Sequence, residues 1–301
     1  MMNSSLQGYA AAILAELDAS NLATVTAELA QLDATMAANR DLRAAMTDTS
    51  VTGVARRAVL TQVLSGKVSA PTVRLAGNAA LVSNAQDVPA AISFLAQRAR
   101  EADRDGGYDE PTLSVTGARQ RVGGFASATF EDLDNSDLEG IEEELFRFAR
   151  TVEATPELRR AMIDRDLPVN RRQGIIEALV GSKASPSTTK LLKYVVAGGR
   201  ARDVVGTVDW LVDQAAKARG WRVAKVRTGK PLAEAQADRL RTSLSRVSGH
   251  PVELQVTDDA TLLGGVRIEV GDLLVDATAR GRLEQLREHL EADHRTFQKN
   301  D

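Results

Sequence analysis

The chain contains no cysteine. That excludes disulfides, thiolate metal sites and cysteine nucleophiles, and it agrees with a reducing compartment. Aromatic residues are scarce, at 4 % of 301 residues, so alanine and leucine carry most of the 43 % that is hydrophobic. Cores built from Ala and Leu favour helix packing, because these residues cost least in a helix. Neither sign of charge is in excess: 38 Lys and Arg face 41 Asp and Glu, for a net charge of −3. A chain without surplus cations cannot neutralise a row of phosphates, which argues against nucleic acid as a partner. No apolar run reaches the ~18 residues of a membrane span. Residues 1–39 hold no Lys or Arg, unlike a secretory or mitochondrial targeting segment. These absences together predict a soluble, cytoplasmic chain of two or three domains.

What is present is a domain written twice. Residues 8–102 match residues 124–218 at a constant offset of 116, without a gap, and about a quarter of the positions are identical. Gly8-Tyr9-Ala10 falls on Gly124-Phe125-Ala126, and Leu17-Asp18 on Leu133-Asp134. Leu42-Arg43-Ala44-Ala45-Met46 falls on Leu158-Arg159-Arg160-Ala161-Met162. Lys67-Val68-Ser69 falls on Lys183-Ala184-Ser185, and Asp87-Val88 on Asp203-Val204. Such register does not arise by chance.

Each copy reads as five or six helices forming a compact bundle. Leu22, Val25, Leu29, Leu32 and Met36 recur at three- and four-residue steps, and Leu138, Ile141, Leu145, Phe148 and Val152 repeat that apolar face. Ser136 with Glu139 fits a capping box, and Thr155-Pro156 and Ser185-Pro186 place a capping residue before a first-turn proline. Between the copies, Asp105-Gly106-Gly107 and Glu110-Pro111 read as a linker long enough to let the bundles sit apart.

From Trp221 the period changes. Residues 222–227 form a short strand-like run, and a helix after Pro231 carries Leu232, Leu240, Leu244 and Val247 and stops at Gly249. Val252, Leu254 and Val256 alternate with polar residues as a second strand. Residues 266–270 and 273–275, joined by Gly271-Asp272, read as a hairpin with a type II′ turn. A last helix starts near Thr278, with Leu283, Leu286 and Leu290 on one side. The predicted fold is therefore mainly α: two tandem five- or six-helix bundles, then a small α/β (α+β) domain with a β-hairpin. The boundaries fall at residues 1–104 for the first bundle, 105–119 for the linker and 120–219 for the second bundle. The C-terminal domain takes residues 220–293 and the tail 294–301.

No catalytic constellation stands out. His289 and His294 are five apart, on different faces of a helix, and His250 is remote from both. Thr228-Gly229-Lys230-Pro231 has the lysine of a phosphate loop but no upstream glycine, and a proline where the hydroxyl belongs. Gly264-Gly265 precedes a strand and lacks the third glycine of a dinucleotide site. Gly198-Gly199-Arg200 reads as an interhelix loop, and the pairs Arg56-Arg57 and Arg171-Arg172 as surface charge or bundle salt bridges. The expectation is a chain without catalytic residues, metal or cofactor.

The C-terminal hairpin carries a resemblance. Asp259-Ala260-Thr261-Leu262-Leu263-Gly264-Gly265-Val266, then Gly271-Asp272, then residues 275–283 from Val275-Asp276-Ala277-Thr278 to Arg280-Gly281-Arg282-Leu283 resemble the signature of the delta subunit of F-type ATP synthase. The mitochondrial counterpart is the oligomycin-sensitivity-conferring protein. Ala260 and Thr278 replace a proline and a serine of that signature, and Thr still caps a helix. Phe125-Ala126-Ser127-Ala128-Thr129-Phe130 is similar to the family's opening helix. Leu263, Gly264, Gly265, Gly271, Asp276, Thr278, Arg280 and Leu283 are then structural motif residues.

The resemblance implies a non-catalytic stator that joins the alpha and beta subunits of the catalytic head to b-type subunits of the peripheral stalk. The head is thereby kept from turning with the rotor during ATP synthesis coupled to proton transport. The resemblance also implies a peripheral membrane protein on the cytoplasmic side of the bacterial cell membrane, present once in a hetero-oligomeric complex. It covers residues 120–292, so the first bundle is an addition. The initial Met favours a free-standing delta subunit over a fragment of a b–delta fusion. Copy two holds most of the aromatics, namely Phe125, Phe130, Phe146, Phe148 and Trp210. It is expected to dock alpha-subunit N-terminal helices through its first and fifth helices near Phe125, Ala128, Thr129, Leu191 and Val195. Copy one is expected to hold another part of the stalk, such as a second b-type helix, so that deleting residues 1–110 leaves head binding intact. A cytosolic helical adaptor that binds partner helices is the alternative.

Overall fold

The structure is a computed structural model that describes residues 3–105, 114–164, 167–199, 203–220, 222–248, 251–259, 261–262, 264–270, 273–276 and 278. It divides into two units, Met1–Gln214 and Ala215–Asp301. Copy one supplies α1 (Ser4–Ala15), α2 (Ala19–Ala38), α3 (Arg40–Thr47), α4 (Gly53–Leu64), α5 (Ala70–Val82) and α6 (Val88–Asp105). Copy two repeats them as α7 (Val115–Phe130), α8 (Asn135–Ala154), α9 (Pro156–Ile163), α10 (Val169–Val180), α11 (Pro186–Gly198) and α12 (Val204–Ala218).

Repeat-related residues start repeat-related helices. The Asp18 carboxylate accepts from the Asn21 amide to open α2, and Asp134, at the same repeat position, accepts from Ser136 and Asp137 to open α8. The capping box of α8 is thus Asp134 with Asp137, two residues before the expected Ser136–Glu139 pair. The aspartate wins because it comes first after the break at the end of α7, and its carboxylate reaches two free amides. Ser185 caps α11 as expected, whereas Thr155 precedes Pro156 without a side-chain cap bond. Val25, Leu29, Leu32 and Met36 are buried along α2 while Leu22 is half-buried, and Leu138, Ile141, Leu145, Phe148 and Val152 are all buried along α8. α2 packs on α6, α4 on α5 and α10 on α11.

A second device is common to both copies. In copy one Glu28 on α2 accepts from the Ser69 amide at 2.9 Å and from the hydroxyls of Ser69 and Thr72. In copy two Glu144 on α8 accepts from the Ser185 amide at 3.0 Å and its hydroxyl at 2.9 Å, while the Ser185 hydroxyl accepts from the Thr188 amide at 3.2 Å. Each carboxylate clips the second helix to the start of the fifth and satisfies an amide that the fifth helix leaves unbonded.

The second unit holds a four-stranded sheet, ordered β2-β1-β3-β4, from β1 (Arg222–Thr228), β2 (Val252–Asp258), β3 (Val266–Val270) and β4 (Leu273–Asp276). β1 and β2 are parallel and joined through α13 (Glu234–Ser248), while β3 runs antiparallel to both β1 and β4. Val270 pairs with Leu273, which leaves two residues for the predicted hairpin connection. Ala224, Val226, Leu244, Val252 and Ile268 form the core, with Leu232, Leu240, Leu254 and Val266 packed around it. Of the alternating residues of β2, Val252 is buried and Val256 is exposed near the end of this edge strand. The linker glycines Gly106 and Gly107, Glu110-Pro111, Arg200, Leu263, the Gly271-Asp272 turn, Arg280, Leu283, the last helix and the three histidines lie outside the described residues.

Candidate functional site

The five residues expected to receive a partner helix lie on α7 and α11. Phe125, Ala128, Leu191 and Val195 are buried, at 8 %, 2 %, 0 % and 1 % relative exposure. Thr129 is half-buried and returns its hydroxyl to the Phe125 carbonyl. α7 and α11 meet through Phe125, whose ring stacks on Tyr194 with centroids 4.0 Å apart. Against α7 lies α1 of the other copy, in the most extensive contact between any two elements. The linker therefore does not hold the bundles apart; they are packed together within one unit.

The crossing of α1 and α7 is built on two glycines at the same repeat position. A Cβ on Gly8 would overlap the carbonyl of Arg121, and a Cβ on Gly124 would overlap the carbonyl of Ser5. Gly8 and Gly124 are 116 residues apart, and so are Ser5 and Arg121. The contact is reciprocal, as in an isologous dimer interface, but within one chain. Leu6, Tyr9, Ala10 and Ile13 of α1 are each 5 % exposed or less.

Polar contacts repeat the same relation. Arg74 of α5 pairs with Asp132 at 2.8 Å and Glu131 at 3.1 Å, and donates to the Ala128 carbonyl at 2.8 Å. Its repeat counterpart Lys190, on α11, pairs with Glu16 at 3.0 Å, and Glu16 is the counterpart of Asp132. The fifth helix of each copy thus reaches the end of the other copy's first helix. Lys190 and Glu16 are exposed, so their pair adds little stability, whereas Arg74 is one-quarter exposed and forms part of a network. Tyr9, buried on α1, donates its hydroxyl to Glu131 at 2.7 Å. Burial, followed by that bond to a carboxylate, pushes its pKa above the ordinary tyrosine value.

Away from the crossing, a groove of about 290 Å³ runs between α8 and α10, lined by Glu144, Arg147, Phe148, Thr151, Leu179 and Lys183 among others. On α4, which is the counterpart of α10, Val54, Val59 and Val63 are exposed. No group of three or more His, Cys, Asp or Glu able to hold a metal occurs among the described residues, and none of the described helices is long and apolar enough to cross a membrane. The Arg56 reading needs correction. Arg56 is buried at 5 %, and it donates to the carbonyls of Val51, Ala80 and Ser83. It is neither surface charge nor a salt bridge, because its fork closes the unbonded carbonyls at the end of α5. Arg172, its repeat counterpart, is buried as well.

In the second unit the motif glycines have a backbone reason. Gly264 and Gly265 take φ of 134° and 84°, conformations that L side chains rarely adopt, as the chain turns into β3. Thr278 is buried, and Asp276 ends β4. In the sequence Gly8 and Gly124 are a repeat match. Their coincidence at one repeat position was the available signal for a close helix crossing.

The ATP synthase delta (OSCP) subunit family model matches residues 6–104 and again residues 123–290. An ATP synthase subunit delta from Nocardia farcinica is 33 % identical over 269 residues, covering 89 % of this chain and 90 % of its own. The Kineococcus radiotolerans subunit delta is 32 % identical over 252 residues, covering 83 % and 81 %. The subunit delta of Streptomyces griseus is 28 % identical over 292 residues, covering 94 % and 97 %, so that alignment takes in both helical copies. With its helical bundle matched twice and its C-terminal domain once, the chain belongs to the ATP synthase delta (OSCP) subunit family.

Proposed function

We propose that this chain is a non-catalytic stator subunit of the peripheral stalk of F-type ATP synthase. It ties the alpha and beta subunits of the catalytic head to b-type stalk subunits on the cytoplasmic side of the bacterial membrane, and so holds the head still while the rotor turns. The observation that carries this reading is the family match over both helical copies and the C-terminal domain. The physical character of the chain supports it. A stator must transmit torque without dissociating, which calls for a stiff body and interfaces with slow off-rates. A helical unit whose copies interlock at a glycine crossing is stiff in the required sense, since close-packed interiors transmit strain.

In this reading the helical unit faces the head and receives amphipathic N-terminal helices of alpha subunits, with copy two as the family's docking copy. The C-terminal domain takes the end of a b-type subunit, and copy one holds a further part of the stalk. The test is a pull-down of tagged chain from detergent-solubilised membranes. Co-recovery of alpha, beta and b-type subunits is expected; a tagged chain recovered without them overturns the stator reading.

A further inference from the structure

We propose that copy one is the standing occupant of the first-helix face of copy two, so that a helix from the catalytic head docks elsewhere on the helical unit. The inference rests on the stator reading and refines which face is free. Three observations carry it. First, the α1–α7 approach is closer than any side chain at positions 8 or 124 allows, and both positions are glycine. A face meant to open for a partner has no need of that match. Second, the pairing is reciprocal: Gly8 seats on Arg121 as Gly124 seats on Ser5, and Arg74 reaches Asp132 as Lys190 reaches Glu16. Third, access is closed. The Phe125 amide lies beside Gly8, Ala128 is 2 % exposed, and the Ala128 carbonyl is already bonded to Arg74 of copy one. A partner helix reaching them must first expel α1 and expose Leu6, Tyr9, Ala10 and Ile13. The incoming helix would have to offset that lost burial before gaining any affinity.

The duplication then has a physical purpose. A single bundle would leave its glycine-bearing first helix open to any amphipathic helix, whereas a second copy, tethered in the same chain, covers it at high effective concentration. The occupant is a second copy of the same domain, matched in sequence and in register.

The absence of native cysteine makes the test clean. Glu16→Cys and Lys190→Cys replace two exposed side chains that meet at 3.0 Å across the copies. A short bismaleimide should join them within one full-length chain, giving a faster-migrating monomer on a denaturing gel that neither single variant gives. The locked chain is then titrated onto catalytic head depleted of this subunit. Binding within about threefold of the unlocked double variant is expected. Failure to cross-link, or a loss of more than about tenfold in head affinity on locking, overturns the inference. An unlocked double variant that binds no head, when the unmodified chain also binds none, overturns the stator reading instead, and the cross-link then reports on the pairing alone.

Discussion

At the scale of single residues, the helical unit is decided by atoms that are missing. Gly8 and Gly124 bring two backbones together where a methyl group would meet a carbonyl oxygen. Gly124→Ala should cost about 1–3 kcal/mol, as overpacked sites do. Gly140→Ala, in the middle of α8 with open space around it, should stabilise by about 0.5–1 kcal/mol through helix propensity. Urea unfolding of the two variants checks both signs, and equal effects would remove the crossing as the explanation. Tyr9 gives a pH prediction. Its pKa is raised by burial and by the Glu131 carboxylate, so its contribution is complete below the unfolded value of about 10 and is lost as pH rises beyond it. Tyr9→Phe should therefore flatten the fall in stability between about pH 10 and 11; a slope unchanged from the parent chain would show that other groups cause it. Arg56 illustrates what sequence leaves open, since a charged pair at a helix start reads as solvated surface until the carbonyls of α5 are placed around it.

At the scale of elements, the legible features were those written locally. Apolar stripes, the Ser185-Pro186 helix start and the two-residue hairpin connection all depend on residues within a few positions of each other. The Glu28 clip was not legible, because its partners Ser69 and Thr72 lie more than forty residues away. Burial opposes the Glu28 charge, and the hydrogen bonds from Ser69 and Thr72 overcome it, holding its pKa below the ordinary carboxylate range. A depressed carboxylate pKa contributes stability above the unfolded value of about 4.3 and loses it as pH falls through the folded value. Glu28→Gln should then cost about 1–3 kcal/mol at pH 7. The gap should narrow below about pH 4, as read by thermal melts across that range; a gap independent of pH would mean that only packing was lost.

At the scale of the whole molecule, the two copies lie in one compact unit and pack on each other through α1 and α7. The chain has two tryptophans, and Trp221→Phe leaves Trp210 of copy two as the sole fluorescent reporter. Leu29→Ala removes a fully buried side chain from copy one and should destabilise by about 2–5 kcal/mol. If the copies are coupled, the unfolding midpoint reported by Trp210 falls as well, whereas independent bundles leave it unchanged. The same coupling changes the outlook for deleting residues 1–110. Removing copy one strips α1 from α7 and uncovers Gly124, Phe125 and Ala128, so such a truncation alters the docking surface as well as shortening the chain.

Sequence by itself determined the duplication, the helical class of each copy, the order of the C-terminal elements from β1 to β4 and the family, because repeats, periodicity and short motifs are properties of residues near one another or at one constant offset. Only the tertiary structure decided that the copies close on each other. That depends on how near two backbones come, and a glycine in the sequence states what is permitted there without saying which helix takes the space.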